Sequence, residues 1–247
     1  MNSRIVFLFA VSLLATLLPG SLLAGDGLTP HIAEYRVRIS VLGGELRTRF
    51  ETTATGYQAQ STIEATGMSR LVARGAIREH SMFSLHADGI RPDVYRSVDS
   101  LSSDGQVVDL AFDWDDYEVS GLIDGAEYRS SLEAPVHDRV TLQYGLMHDL
   151  ITGEERQRYL LQDAEELKVL SIRNAGHRTI EVPFGTFEAV GIQHQAENSS
   201  RITTLWCVEE LGYLPAVIEQ HRKGKLRLRA ELTNYVPLES AVAQIGE

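Results

Sequence analysis

From about residue 30 onward the chain alternates apolar and polar residues. Tyr35, Val37, Ile39 and Val41 alternate with Arg36, Arg38 and Ser40, and Leu46, Thr48 and Phe50 alternate with Arg47 and Arg49. Near the carboxyl end Leu226, Leu228, Ala230 and Leu232 alternate with Lys225, Arg227, Arg229 and Glu231. Successive side chains of a strand point to opposite faces, so a period of two predicts an antiparallel sheet with one face in the core and one in water. Gly43-Gly44 is expected to close the first hairpin. Asp88-Gly89, Asp104-Gly105 and Asp124-Gly125 give three more turn signals, because Asp and Gly tolerate the positive φ of tight turns. These turns delimit strands over 77–85, 94–101, 107–114 and 117–123.

Two segments break the alternation. Met68 to Ala73 predicts a short helical turn between strands. Over 138–151, Val140, Tyr144, Met147 and Ile151 share one helical face, broadened by Leu142, Leu146 and Leu150. Asp138 is placed to cap this helix and Gly153 to end it. The expected fold is mainly β: a large curved antiparallel sheet, a half-barrel or open barrel, with one main helix against or inside it. No repeat or linker divides the chain. A single β-rich domain is expected over 26–240, followed by a tail, 241–247.

The amino terminus has a different character. Arg4 precedes an apolar run over 5–18, then Pro19-Gly20 and small residues up to Gly25. The run is shorter than the roughly 20 residues a membrane-spanning helix needs, so 1–25 is expected to be a secretory signal peptide, with cleavage near Ala24. Leu23-Ala24-Gly25 resembles the start of a bacterial lipoprotein box, but Asp26 stands where that box needs cysteine. The reading is therefore a periplasmic protein with no lipid anchor there and no transmembrane segment once the signal is removed.

The net charge is −11, which argues against general nucleic-acid binding because phosphate backbones are repelled. A single cysteine leaves no internal disulfide. Several stretches together resemble the exported bacterial proteins of the DUF3108 family: Gly89-Ile-Arg-Pro-Asp-Val-Tyr95, Phe112-Asp-Trp114, Asp138-Arg-Val-Thr-Leu-Gln143, Pro183-Phe-Gly-Thr-Phe187, and Leu205-Trp206 through Leu211-Gly-Tyr-Leu-Pro215. The resemblance implies a β-rich periplasmic domain and carries no activity, cofactor or catalytic residue. The closing strand pair also resembles, at the level of fold alone, the lipoprotein-carrier β-half-barrels, which implies a sheet around a helix with an apolar groove.

Candidate chemistry is sparse. Cys207 sits between Trp206 and Val208 with no Cys-x-x-Cys partner, the setting of an inert buried thiol, and the family resemblance implies a large apolar residue at this position. Asp109, Asp113 and Asp115 share a strand face but lack the calcium-loop pattern. The eight histidines form no His-Glu-x-x-His, and no Gly-x-Ser-x-Gly or nucleotide loop occurs. No cofactor or metal is expected. Arg36, Arg38, Arg47 and Arg49 project from the wet face of the first hairpin, either as a docking face for an anionic envelope component or paired with neighbouring acids. Trp114, Tyr144, Met147, Phe184, Phe187 and Trp206 are the candidate groove or clamp residues. The leading expectation is a non-enzymatic binding module for an apolar or envelope-derived ligand, a lipid or a partner segment. Two alternatives stand beside it: an envelope scaffold docking through the arginines onto an envelope protein or polymer, and a hydrolase or metal-dependent enzyme without a recognisable signature.

Overall fold

The structure, a computed structural model, describes residues 27–239. The signal-peptide reading, Asp26 and the tail lie outside the described residues. The strands are β1 (His31–Ile39), β2 (Leu42–Thr52), β3 (Tyr57–Ala65), β4 (Ala76–His86), β5 (Gly89–Asp99), β6 (Val107–Asp113), β7 (Glu118–Ile123) and β8 (Ala126–Ser131). Then come β9 (Val136–His137), helix α1 (Thr141–Thr152), β10 (Arg158–Asp163), β11 (Glu166–Val182), β12 (Gly185–Ala196), β13 (Arg201–Val208), β14 (Leu214–Arg222) and β15 (Lys225–Pro237). All fifteen strands form one sheet in the order 8-7-6-5-4-3-2-1-15-14-13-12-11-10-9. Every neighbouring pair is antiparallel except β9 and β10, which are parallel with α1 as the connection.

Connectivity forces this sheet to curl. At about 4.8 Å per strand, fifteen strands laid flat would be roughly 65 Å wide. Yet the edge strands β8 and β9 are joined by residues 132–135 alone, a link that reaches at most about 18 Å. The edges must therefore come round to one another, and β9 and α1 lie against β5. The two edges do not pair with each other, so the barrel stays open. Both are short, and β8 carries Glu127 and Arg129, which discourages edge-to-edge association.

Helix α1 fills the trough. Its residues 141–151 are all buried or half-buried, so it is surrounded rather than laid on a surface. Tyr144 stacks on Phe50 of β2 at 4.5 Å and on Phe83 of β4 at 5.4 Å. Leu142 and Leu146 pack the other way, with Tyr159, Leu161, Leu170, Ile192, Leu205 and Cys207. Asp138 is the effective cap. Its Oδ1 accepts the N–H groups of Val140 (2.7 Å) and Thr141 (2.8 Å), and its C=O accepts that of Leu142 (3.1 Å). Gly153 ends the helix in the left-handed region, φ 74°. No helix of the described residues is long and apolar enough to cross a membrane.

Local expectations hold in most places. The short helical turn is a 3-10 segment, Gly67–Leu71. Asp124 and Gly125 both take positive φ, as a two-residue hairpin turn requires. One expectation is corrected. Gly43-Gly44 does not close the first hairpin: Gly43 and Gly44 lie within β2 opposite Arg38 and Val37. The turn is Ser40-Val41, with Ser40 at φ 56°. Gly44 serves close approach instead, since a Cβ there would stand 2.9 Å from the Glu64 carbonyl oxygen.

Candidate functional site

In an up-and-down sheet alternate turns share one end. The β1–β2, β3–β4, β5–β6, β7–β8, β10–β11, β12–β13 and β14–β15 turns lie at the end where α1 begins, and both described termini lie at the other. At the helix-start end the curled sheet opens into a groove of about 980 Å³, near the top of the range of small-ligand sites. Its walls are the inner-face positions of strands on both sides of the trough: Val37, Leu46, Ile63, Leu161, Leu170 and Ile218. Leu142, in the first turn of α1, closes the bottom. Val37, Leu161 and Leu170 belong to the core, Leu161 and Leu170 against Leu142, whereas Leu46, Ile63 and Ile218 stay half-buried because the helix stops short of this end.

Much of the remaining lining is polar, with Glu79, Arg139, Asp163, Lys168, Arg201 and Arg222 among it. His194 on β12 faces it, and desolvation lowers its pKa to about 4, so its imidazole is neutral at pH 7. At the rim Arg139, directly after the cap, pairs with Asp163 at the end of β10 and lies 3.9 Å from Glu79 of β4. Lys168 pairs with Asp163 and, at 3.0 Å, with Glu166. The Tyr95 hydroxyl donates to Glu79 (2.7 Å). β4 and β10 are far apart in the sheet, so Arg139 ties opposite walls together across the start of the helix. Desolvation pushes the Asp163 carboxyl up, but Lys168 and Arg139 outweigh it and hold the pKa below its usual value.

A second cavity, about 250 Å³, lies at the opposite end between α1 and the seam. There Tyr159 donates its hydroxyl to Asp149, and Arg156 Nε donates to the same carboxylate oxygen (3.2 Å). His137 packs its ring on Gly145, where a Cβ would approach Cε1 to 2.8 Å. Desolvation, helped by Arg156, lowers the His137 pKa to about 4, and its Nδ1 has no hydrogen-bond partner. No serine, threonine or cysteine lines this cavity, and the Tyr159 hydroxyl there is already committed to Asp149.

The residues singled out from sequence fall elsewhere. Tyr144 and Met147 are buried in the main core. Trp114 donates its Nε1–H to the Pro92 carbonyl (2.7 Å) under Arg91. Phe184 and Phe187 stack at 6.0 Å at the tip of the β11–β12 hairpin, where the Phe184 N–H donates to Leu232 (3.1 Å). Trp206 lies 3.7 Å beneath the Arg178 guanidinium and donates to Glu219 (3.2 Å). None of these six lines the groove. Arg36, Arg38, Arg47 and Arg49 are all exposed, with acids among them: Arg36 stands between Glu45 and Glu231, Arg47 is 3.7 Å from Glu34, and Arg49 pairs with Glu51. Asp109 pairs with Arg96 (3.1 Å), while Asp113 accepts the N–H groups of Asp115 and Asp116 (3.0 Å each) in an exposed turn. Among the described residues no three His, Cys, Asp or Glu side chains converge as a metal site would require. Cys207 is buried, and desolvation pushes its pKa up to about 12. Sequence reasoning missed the aliphatic groove wall. The alternation marks its residues as inward-facing, but nothing in it says which inward positions lie beyond the start of the helix.

Comparisons with known proteins identify a family and a solved structure of similar fold. A family described as "Protein of unknown function (DUF3108)" matches residues 33–231. No curated protein matches the chain. A β-barrel-like protein of the domain of unknown function DUF1849, from Brucella abortus, superposes with a TM-score of 0.57 at 12% identity, covering 87% of this chain and 100% of that one. A protein described as exported, with a YmcC-like fold, from Bacteroides fragilis gives 0.34 at 10% identity over 85% and 97% of the two chains. A protein described as a lipoprotein from Parabacteroides distasonis gives 0.31 at 12% over 85% and 96%.

Proposed function

The chain belongs to the DUF3108 family of proteins of unknown function, and we propose that it is an exported, non-enzymatic binding module holding an apolar, acyl-chain-bearing envelope ligand in the groove. The observation that carries this reading is the groove of about 980 Å³, in which Leu46, Ile63, Ile218 and Leu228 stay only partly covered beyond the start of α1. Burying apolar ligand surface on these side chains yields roughly 25 cal/mol per Å² before the costs of association. Arg139, Lys168, Asp163 and Glu166 at the rim are paired with one another, and Arg201 and Arg222, both exposed, are the other cations of the lining that a ligand headgroup can meet. The dispersal of Asp109, Asp113 and Asp115 in exposed turns and ion pairs supports the non-enzymatic part of the reading.

The test is titration of delipidated protein with a fluorescent fatty acid, alongside native mass spectrometry of the protein as purified. Ile218→Arg and Leu46→Arg place a charge on the groove wall, whereas Val107→Arg alters an exposed position outside it. The expected result is about tenfold weaker probe binding in the first two and none of that loss in the third. Equal binding by all three, or no binding by the unaltered protein, overturns the proposal.

A further inference from the structure

Three turns at the groove end share a composition that the other described turns of that end lack. The β1–β2 turn exposes Ile39, Val41 and Leu42, with Val41 93% accessible, beside Arg38. The β3–β4 connection exposes Met68 (79%), Leu71 (65%) and Val72 (75%) beside Arg70 and Arg74. The β14–β15 turn presents Leu226 among Arg222, Lys223, Lys225 and Arg227.

These turns are neighbours. They join strands that follow one another in the sheet, β14-β15-β1-β2-β3-β4. The Ser40 N–H donates to the Arg227 carbonyl (3.1 Å), the Gly43 N–H to Ser69 Oγ (2.8 Å), and the Thr66 N–H to the Gly43 carbonyl (3.0 Å). Together, segments 38–42, 66–75 and 222–227 hold seven Lys or Arg and no Asp or Glu, in a chain whose net charge is −11. The remaining turns of the same end carry the opposite sign, with Asp104, Asp124, Glu165 and Glu166. Leu46, Ile63, Leu228 and Arg222, which line the groove, lie on the same strands as these turns or at their ends.

Large apolar side chains held out in water are costly unless something covers them, and a ring of cations around them selects an anionic, apolar-cored surface. We propose that these three turns dock the protein on the surface of an anionic phospholipid bilayer, the apolar tips entering the headgroup region and the basic residues meeting lipid phosphates. The acidic turns of the same end are repelled, so the molecule tilts onto its basic sector with the groove mouth toward the membrane. The docking surface stands on these turns alone; delivery of a ligand from bilayer to groove rests in addition on the proposed function.

The experiment is co-sedimentation of the full chain with phosphatidylcholine vesicles and with vesicles in which about a third of the lipid is phosphatidylglycerol. The amino-terminal apolar run is common to every sample, so the readout is the difference between variants. Val41→Ser/Met68→Ser/Val72→Ser removes the tips, and Arg70→Glu/Arg74→Glu/Lys225→Glu reverses the charge. All six positions are exposed, and circular dichroism confirms that each variant folds. Docking predicts tighter binding to the anionic vesicles, weakened by salt, and about tenfold weaker in each triple variant. Equal pelleting of unaltered protein and variants overturns the proposal. So does self-association without vesicles that both variants abolish, since the patch would then belong to a second copy. Ile218→Arg separates the two readings: it keeps docking and loses the fatty-acid probe, whereas the turn variants lose docking and keep the probe.

Discussion

The groove exists because α1 begins where it does, and Asp138 sets that point. The carboxylate is wholly buried and accepts three hydrogen bonds, from the Val140 and Thr141 N–H groups and from the Ser81 hydroxyl on β4 (2.7 Å). Asp138→Ala leaves these three donors buried without partners. At about 1.5 kcal/mol each, within the usual range for an orphaned buried donor, the gross cost is roughly 4–5 kcal/mol. The native carboxylate is itself strained by burial. Desolvation, only partly offset by these hydrogen bonds, pushes its pKa up to about 6.

A raised carboxyl pKa means that the folded state holds the proton more tightly. The associated stability is present below the unfolded pKa and is lost as pH rises through the folded one, a total of about 3 kcal/mol by pH 7.5. Asp138→Asn is neutral, keeps an acceptor for the two N–H groups, and turns an NH₂ toward Ser81. Urea denaturation should therefore show the Asn variant more stable than the unaltered protein by about 1 kcal/mol near pH 4.5 and about 3 kcal/mol near pH 7.5. The Ala variant should lie about 4 kcal/mol below the Asn variant at either pH. If Ala and Asn fall within about 1 kcal/mol of each other, the cap does not hold the helix. If the gap between Asn and the unaltered protein does not widen with pH, Asp138 is not the titrating group.

Other expectations concern the seam, the thiol and a close approach. His137 is buried neutral with a pKa lowered to about 4, so its contribution is present above pH 6.5 and lost as pH falls toward 4, about 3 kcal/mol in all. Denaturation of His137→Gln should show a correspondingly shallower acid loss, and an unchanged slope would refute this assignment. Cys207, buried with its pKa pushed up to about 12, should resist thiol reagents in the native protein and react fully in urea; fast native labelling would contradict its packing. A Cβ at Gly121 would stand 1.9 Å from the Asp109 carbonyl oxygen, so Gly121→Ala should forfeit about 2 kcal/mol or more through backbone displacement between β6 and β7. A thermal midpoint equal to the unaltered one would mean that the two strands are not so closely paired.

The sequence by itself determined the local conformations. Asp138 and Gly153 bracket the helix because a side-chain acceptor and a residue free to adopt positive φ are requirements of helix ends, whatever surrounds them. Period-two alternation determined which residues of β1 and β2 face inward, whereas the consecutive buried residues of β13 and β14 carry no such signal. Gly43-Gly44 was misread because glycine serves both turns and close approach, and only the Glu64 carbonyl of the neighbouring strand decides between them.

Tertiary structure alone decided the features on which the two proposals rest. Whether an inward aliphatic residue meets a helix or an open groove depends on where α1 begins relative to fifteen strands, a distance set by the curl and not by the pattern along any one strand. Three turns up to about 180 residues apart become one basic, apolar surface only because β15 pairs with β1 and brings the ends of the chain together. Local physics is written in neighbouring residues. Grooves and patches are written in the closure of the sheet.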